Sequence, residues 1–163
     1  MWLQQKNSPP KSVLYSCSMS SAMTGAALEK SILHVCESHP VTLAYLFGSH
    51  AMGRADSESD VDIAVLAPPE LTKEERHQLK IQLALSCTRK TGLPIEKIDV
   101  VILQDVPVLL QLNVIRRGKL LFAKDPGARG AFEIGVEQAY DDERPYLERE
   151  TDLTLQRILS HKL

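Results

Sequence analysis

The chain has 163 residues, of which 44% are hydrophobic and 25% charged, and its net charge is −2. That length suggests one domain with a sizeable core, and the near-neutral balance excludes a strongly basic, general nucleic-acid binder, so no direct nucleic-acid partner is expected. No run approaches the ~20 continuous apolar residues that cross a bilayer, so no membrane partner is expected either. Three cysteines, Cys17, Cys36 and Cys87, are odd in number and far apart. That pattern fits neither a disulfide framework nor a zinc site, and reduced thiols in a cytoplasmic protein are expected.

Residues 1–22 are rich in Ser, Pro and Lys and lack the long apolar core of a signal peptide, so they are expected to form a flexible tail. Residues 23–163 are expected to form the domain, including a C-terminal helical segment. From Thr24, Leu28, Ile32, Val35 and Cys36 recur at helical spacing, and Pro40 ends the run. Val41 to Phe47 reads as a buried strand broken by Gly48, and "SHAMGRADSES" as a turn with one helical turn at its start. Asp60 to Ala67 reads as a second strand, stopped by Pro68 and Pro69. "ELTKEERHQLKIQLALSCTRKTG" reads as an amphipathic helix with Leu71, Leu79, Leu83 and Cys87 along one side and Gly92 as its C-terminal cap. A third strand is expected from about Ile95 to Leu103. A helix then runs through "VPVLLQLNVIRRG" to Gly118, followed by a short fourth strand, "KLLFA". A long helix starts at Asp125-Pro126, and Pro145 should kink or split it because proline lacks the amide donor. The expected architecture is α/β (α+β), a small mixed β-sheet flanked by helices.

Two carboxylates, Asp60 and Asp62, stand one residue apart in an apolar run. On a strand they share one face, with Val61, Ile63 and Val65 turned to the core on the other, and their Cα atoms lie roughly 6.5–7 Å apart. Like charges so placed repel unless a cation sits between them, and all-oxygen ligands favour Mg²⁺ or Mn²⁺. Asp99, between Ile98 and Val100 in the third strand, joins the pair if the second and third strands are neighbours. Three carboxylates on one sheet face would make a two-metal site for phosphoryl or nucleotidyl transfer. Gly48 lets the backbone approach a ligand, and Ser49 opens a turn whose amides and hydroxyl suit phosphate oxygens. Arg54 either reaches a phosphate or supports the loop, and Ser59 completes the candidate ATP-binding set of Gly48, Ser49, Arg54 and Ser59. An EF-hand reading of the acidic loop fails, because Val61 and Ala67 stand where glycine and glutamate are needed.

Gly48-Ser49, ten residues, then Asp60-x-Asp62 resembles the signature of the nucleotidyltransferase superfamily related to DNA polymerase beta. The likeness is to its minimal members, the MNT-domain antitoxins (MntA) paired with HEPN-domain toxins (HepT). It runs over roughly residues 41–146 and includes "FGSHAMGRADSESDVDIAVL", "IDVVIL", "VIRRGKLLFAKDP" and the Tyr-Asp-x-x-x-Pro pattern from Tyr140 to Pro145. The resemblance implies a hetero-oligomer with a cognate HEPN toxin and transfer of AMP from ATP onto a tyrosine of that ribonuclease, which silences it. It implies catalytic, metal-binding carboxylates at Asp60, Asp62 and Asp99 with two Mg²⁺ ions, Mn²⁺ being possible, and triphosphate contacts at Gly48 and Ser49. His50 stands where many relatives carry arginine.

Two other readings compete. A small-molecule nucleotidyltransferase of the aminoglycoside type usually carries a further domain, for which this chain has little spare length. A non-catalytic antitoxin would act by binding alone, against which the intact carboxylates argue. His34, His39, His77 and His161 read as solvated or packing residues, and "RRGK" (Arg116 to Lys119) as a charge complement to a helix C-terminus. "DDERPYLERE" reads as a solvated helix face or a partner contact, with Tyr140 and Tyr146 half-buried.

Overall fold

The computed structural model describes residues 25–56 and 58–160, with side chains described up to residue 150. The expected tail at residues 1–22, together with Cys17, Thr24 and His161, lies outside the described residues. Helix α1 (Gly25–Glu37) buries Leu28, Ile32, Val35 and Cys36, the stripe its helical spacing predicts. Strand β1 (Leu43–Phe47) leads into the one-turn helix α2 (Gly48–Ala51), and β2 (Val61–Leu66) follows. Helix α3 (Lys73–Thr91) starts with a capping box: the Glu75 amide donates to Thr72 Oγ1 at 3.2 Å and the Thr72 amide to Glu75 Oε2 at 2.8 Å. That cap places Leu71 outside the helix, where it still packs, partly buried, against the core. Gly92 ends α3 at φ 74°, the left-handed conformation a glycine adopts without strain.

Strand β3 is shorter than expected, Ile98–Ile102, because a 3₁₀ turn occupies Ile95–Lys97 and another Leu103–Asp105. Helix α4 (Val108–Arg117), strand β4 (Lys119–Ala123) and helix α5 (Pro126–Ser160) complete the chain. Pro145 does not split α5, whose helical assignment runs unbroken through it. The stretch around it, residues 141–150, is exposed throughout, so water can satisfy the carbonyl that loses its amide partner.

The sheet order is β3-β2-β1-β4, with β2 and β3 parallel and the other pairs antiparallel. A parallel pair needs a crossover, and α3 supplies it. One sheet face packs against α1 and α3 through an aliphatic core that includes Ile32, Leu83, Ile63 and Val100. Each such side chain fully buried contributes about 1.5–3 kcal/mol relative to exposure. The other face packs Leu43, Tyr45 and Ala64 against α4 and α5. Tyr45, only 1% exposed, donates its phenol to Glu133 Oε1 at 2.8 Å, and Arg129 Nε donates to the same oxygen at 2.9 Å. This clamp ties β1 to α5, and burial together with the Glu133 carboxylate holds the phenol well above its ordinary pKa. Cys36 and Cys87 are free and buried, and burial pushes their thiols up to about 12 and about 11, so both are inert packing residues. No described helix is long and apolar enough to cross a membrane.

Candidate active site

At the end of β1 the chain turns at Gly48, whose φ of 68° lies in the left-handed region. A Cβ at Gly48 would collide with Oδ2 of Asp62, so this position requires glycine for its dihedral angle and for its space. The turn closes with hydrogen bonds from the Met52 amide to the Gly48 carbonyl (3.3 Å) and from the Arg54 amide to the Ser49 carbonyl (3.0 Å). Gly53 adds a second left-handed step at φ 64°. The turn is thereby laid directly onto β2.

The parallel β2–β3 register places Asp62 opposite Asp99, at the usual spacing of ~4.8 Å between strands. Asp62 is half-buried and Asp99 exposed, while Asp60 stands exposed one residue ahead of β2. Burial raises the Asp62 carboxyl above the ordinary carboxylate range, the charges of Asp99 and Asp60 raise it further, and His50 pulls it the other way. Among the described residues no group of three His, Cys, Asp or Glu side chains is gathered tightly enough to hold a metal ion by itself. The arrangement is a facing pair with a charged neighbour. Its donors are all carboxylate oxygens and their repulsion is relieved by a cation, so the set fits a hard divalent ion.

Two other expected site residues, Ser59 and Arg54, lie in the loop that leads into β2. Ser59 Oγ donates to Asp56 Oδ1 at 2.8 Å and accepts from the Asp56 amide at 2.9 Å. The Ser59 bond and the Glu58 amide hold the Asp56 carboxyl below its ordinary pKa. Ser59 is therefore engaged in the turn that delivers Asp60 to the strand. Arg54 is exposed, with Nη2 set 2.7 Å from the Met52 sulfur.

A family model described as "Polymerase beta, Nucleotidyltransferase" matches residues 30–127, more than half of the chain. The chain belongs to the polymerase beta nucleotidyltransferase family. It is 35% identical over 80 residues to Protein adenylyltransferase MntA of Shewanella oneidensis, an alignment covering 49% of this chain and 52% of that protein. The chain thus matches about half the length of this curated relative. It is similar to a chain in a solved toxin–antitoxin complex with AMP-PNP, at 26% identity and a TM-score of 0.58 over 80% of this chain and 98% of that one. A complex of tri-AMPylated Shewanella oneidensis HEPN toxin with MNT antitoxin contains another similar chain, at 25% identity and a TM-score of 0.55, covering 83% and 99%.

The nucleotidyltransferase match includes Gly48, Ser49, Asp60, Asp62 and Asp99. Sequence reasoning missed two features of this family member. The Nε2 of His50 is buried and has no hydrogen-bond partner. Gly118 caps α4 through its amide, 2.7 Å from the Val114 carbonyl, but at φ −77° it needs no left-handed freedom. Its requirement is space, because a Cβ would collide with the Val114 carbonyl and sit 3.1 Å from that of Leu46. The basic cluster also acts more widely than as a helix-end complement, since Arg116 faces Glu137 of α5 at 3.7 Å and Lys119 pairs with Glu29 of α1 at 2.7 Å. Tyr140 is half-buried against Val108, Leu112 and Val136, whereas Tyr146 is 73% exposed rather than half-buried, lying in the stretch 141–150 that is exposed throughout.

Proposed function

We propose that this nucleotidyltransferase is an antitoxin that transfers AMP from ATP to a tyrosine of a cognate HEPN-domain ribonuclease toxin and so neutralises it. The observation that carries the reading is the Asp62–Asp99 pair directly beneath the Gly48–Ser49 turn. Binding and chemistry then divide between two strand ends. Gly48 and Ser49 present backbone amides and a hydroxyl to the triphosphate, which lays the α-phosphorus beside the carboxylates. Asp60, Asp62 and Asp99 would hold two Mg²⁺ ions, Mn²⁺ being able to replace them, which supply charge neutralisation at the triphosphate and acidify the acceptor hydroxyl.

In the transfer, the tyrosine oxygen attacks the α-phosphorus and forms a phosphodiester bond. The bond from that phosphorus to the bridging oxygen of pyrophosphate breaks, and pyrophosphate leaves with the bonding pair. The phenolic proton passes to Asp99, whose exposure lets it hand the proton on to water. The product carries a new negative charge and a bulky adenosine, both of which oppose RNA binding at the toxin.

The experiment mixes a substoichiometric amount of this protein with the HEPN protein, ATP and Mg²⁺, and then weighs the HEPN protein by intact mass spectrometry. A gain in AMP units, located on a tyrosine by fragmentation, is expected, with ribonuclease activity staying lost after the two proteins are separated. Full return of activity on separation, with no mass gain, would instead establish inhibition by binding alone.

A further inference from the structure

We propose that His50 is a positioning residue for Asp62, its Nε2–H donating a hydrogen bond to the Asp62 carboxylate in the loaded site and so holding that carboxylate in its cation-binding orientation. The inference rests on the nucleotidyltransferase reading above. His50 is the third residue of α2, the turn whose first residue lies so close to Asp62 that a Cβ there would strike Oδ2. Its ring is half-buried, yet Nε2 is withdrawn from solvent and has no partner. A buried ring nitrogen left unpaired is unfavourable, and its persistence in a site calls for a partner that arrives in the working state. Because Nε2 is already dry, a protein carboxylate fits it better than an incoming phosphate. Of the neighbouring charges that act on Asp62, His50 alone opposes Asp99 and Asp60. A carboxylate repelled by two others and left without a donor would swing away from the position a cation needs, and outer partners of this kind are what hold metal ligands in place.

The test uses the full chain and Mn²⁺ alone, titrated by the electron paramagnetic resonance signal of the free ion, with melting temperatures confirming that each variant is folded. His50→Leu should weaken Mn²⁺ binding by about 10–100-fold. His50→Gln, whose amide donor reaches a similar distance, should recover most of that loss. His50→Asn, whose donor falls short, should not, and the Gln/Asn pair decides the matter if His50→Leu does not fold. With ATP and toxin present, His50→Leu should lower kcat while leaving KM for ATP unchanged. Wild-type Mn²⁺ affinity in folded His50→Leu would overturn the inference, as would a rise in KM alone or equal defects in the Gln and Asn variants. If the wild type binds no Mn²⁺, or Asp62→Asn binds it equally well, the reading of the carboxylate site fails and takes this inference with it.

Discussion

On one face of the parallel β2–β3 pair, Val61 lies opposite Ile98, Ile63 opposite Val100 and Val65 opposite Ile102, and all of these side chains are buried. On the other face, one residue out of phase, Asp62 lies opposite Asp99 and both retain contact with solvent. The two faces share one ladder of hydrogen bonds. A slip of one residue would turn the aliphatic side chains outward and drive a carboxylate into the α1–α3 core. The dry face thus sets the register, and the register sets the meeting of the carboxylates. A repulsive pair that would not assemble by its own energetics is held together by the burial of its neighbours.

This coupling can be broken from either side. Asp60→Asn with Asp62→Asn keeps side-chain volume and leaves the dry face untouched. It should cut AMP transfer by at least ~10³-fold, since charge stabilisation at such a centre contributes several kcal/mol and each 1.36 kcal/mol is tenfold in rate. Far-UV circular dichroism should be unchanged, and undiminished transfer by the folded double variant would refute the role of these carboxylates. Ile63→Ala attacks the opposite face and should cost about 2–5 kcal/mol of stability in a denaturant titration. Transfer per folded molecule should persist if the register survives on the remaining aliphatic pairs. Its loss in a folded variant would show that the register itself had slipped.

Gly48→Ala tests the turn that covers the polar face. The left-handed φ and the clash with Asp62 together should cost about 1–3 kcal/mol, felt at the site as a fall of about tenfold to a hundredfold in transfer. A fully active Ala variant would show that the turn and Asp62 separate without consequence. The smallest effect concerns the stability cost of the polar face. The Asp62 carboxyl is raised in the fold, so its ionisation opposes folding, and the penalty holds at neutral pH. It fades as pH falls through the raised value towards the ordinary one, below which both states are protonated. Asp62→Asn should therefore melt slightly higher than the wild type at neutral pH without divalent cations. The difference should vanish in acid and shrink or reverse with Mg²⁺, which stabilises the wild type by binding it.

Much of this could be read along the chain. Helical spacing located the buried stripes of α1 and α3, Gly92 marked the end of α3, and Gly48 marked the end of β1. These are local matters, governed by side-chain period and by the dihedral range of one residue. The alternation of Asp62 with Val61 and Ile63 likewise follows from strand geometry alone. Whether Asp99 faced that pair depended on β2 and β3 becoming neighbours in a particular register, which the long stretch of chain between Leu66 and Ile98 leaves open.

The remaining features were decided by contacts between distant parts of the chain. The trimming of β3 at both ends reflects the 3₁₀ turns that flank it, and the unbroken course of α5 through Pro145 reflects exposure there. Tyr45 meets Glu133 across 88 positions, and Gly118 is needed because the Val114 and Leu46 carbonyls crowd it. The unpartnered Nε2 of His50 arises when the chain after β1 is folded back onto β2. Residue type and spacing determined which groups were available and which way each would face on its own element. The three-dimensional fold alone decided which groups met, because the free energy that sets strand register and buries single polar atoms comes from packing summed over the whole sheet.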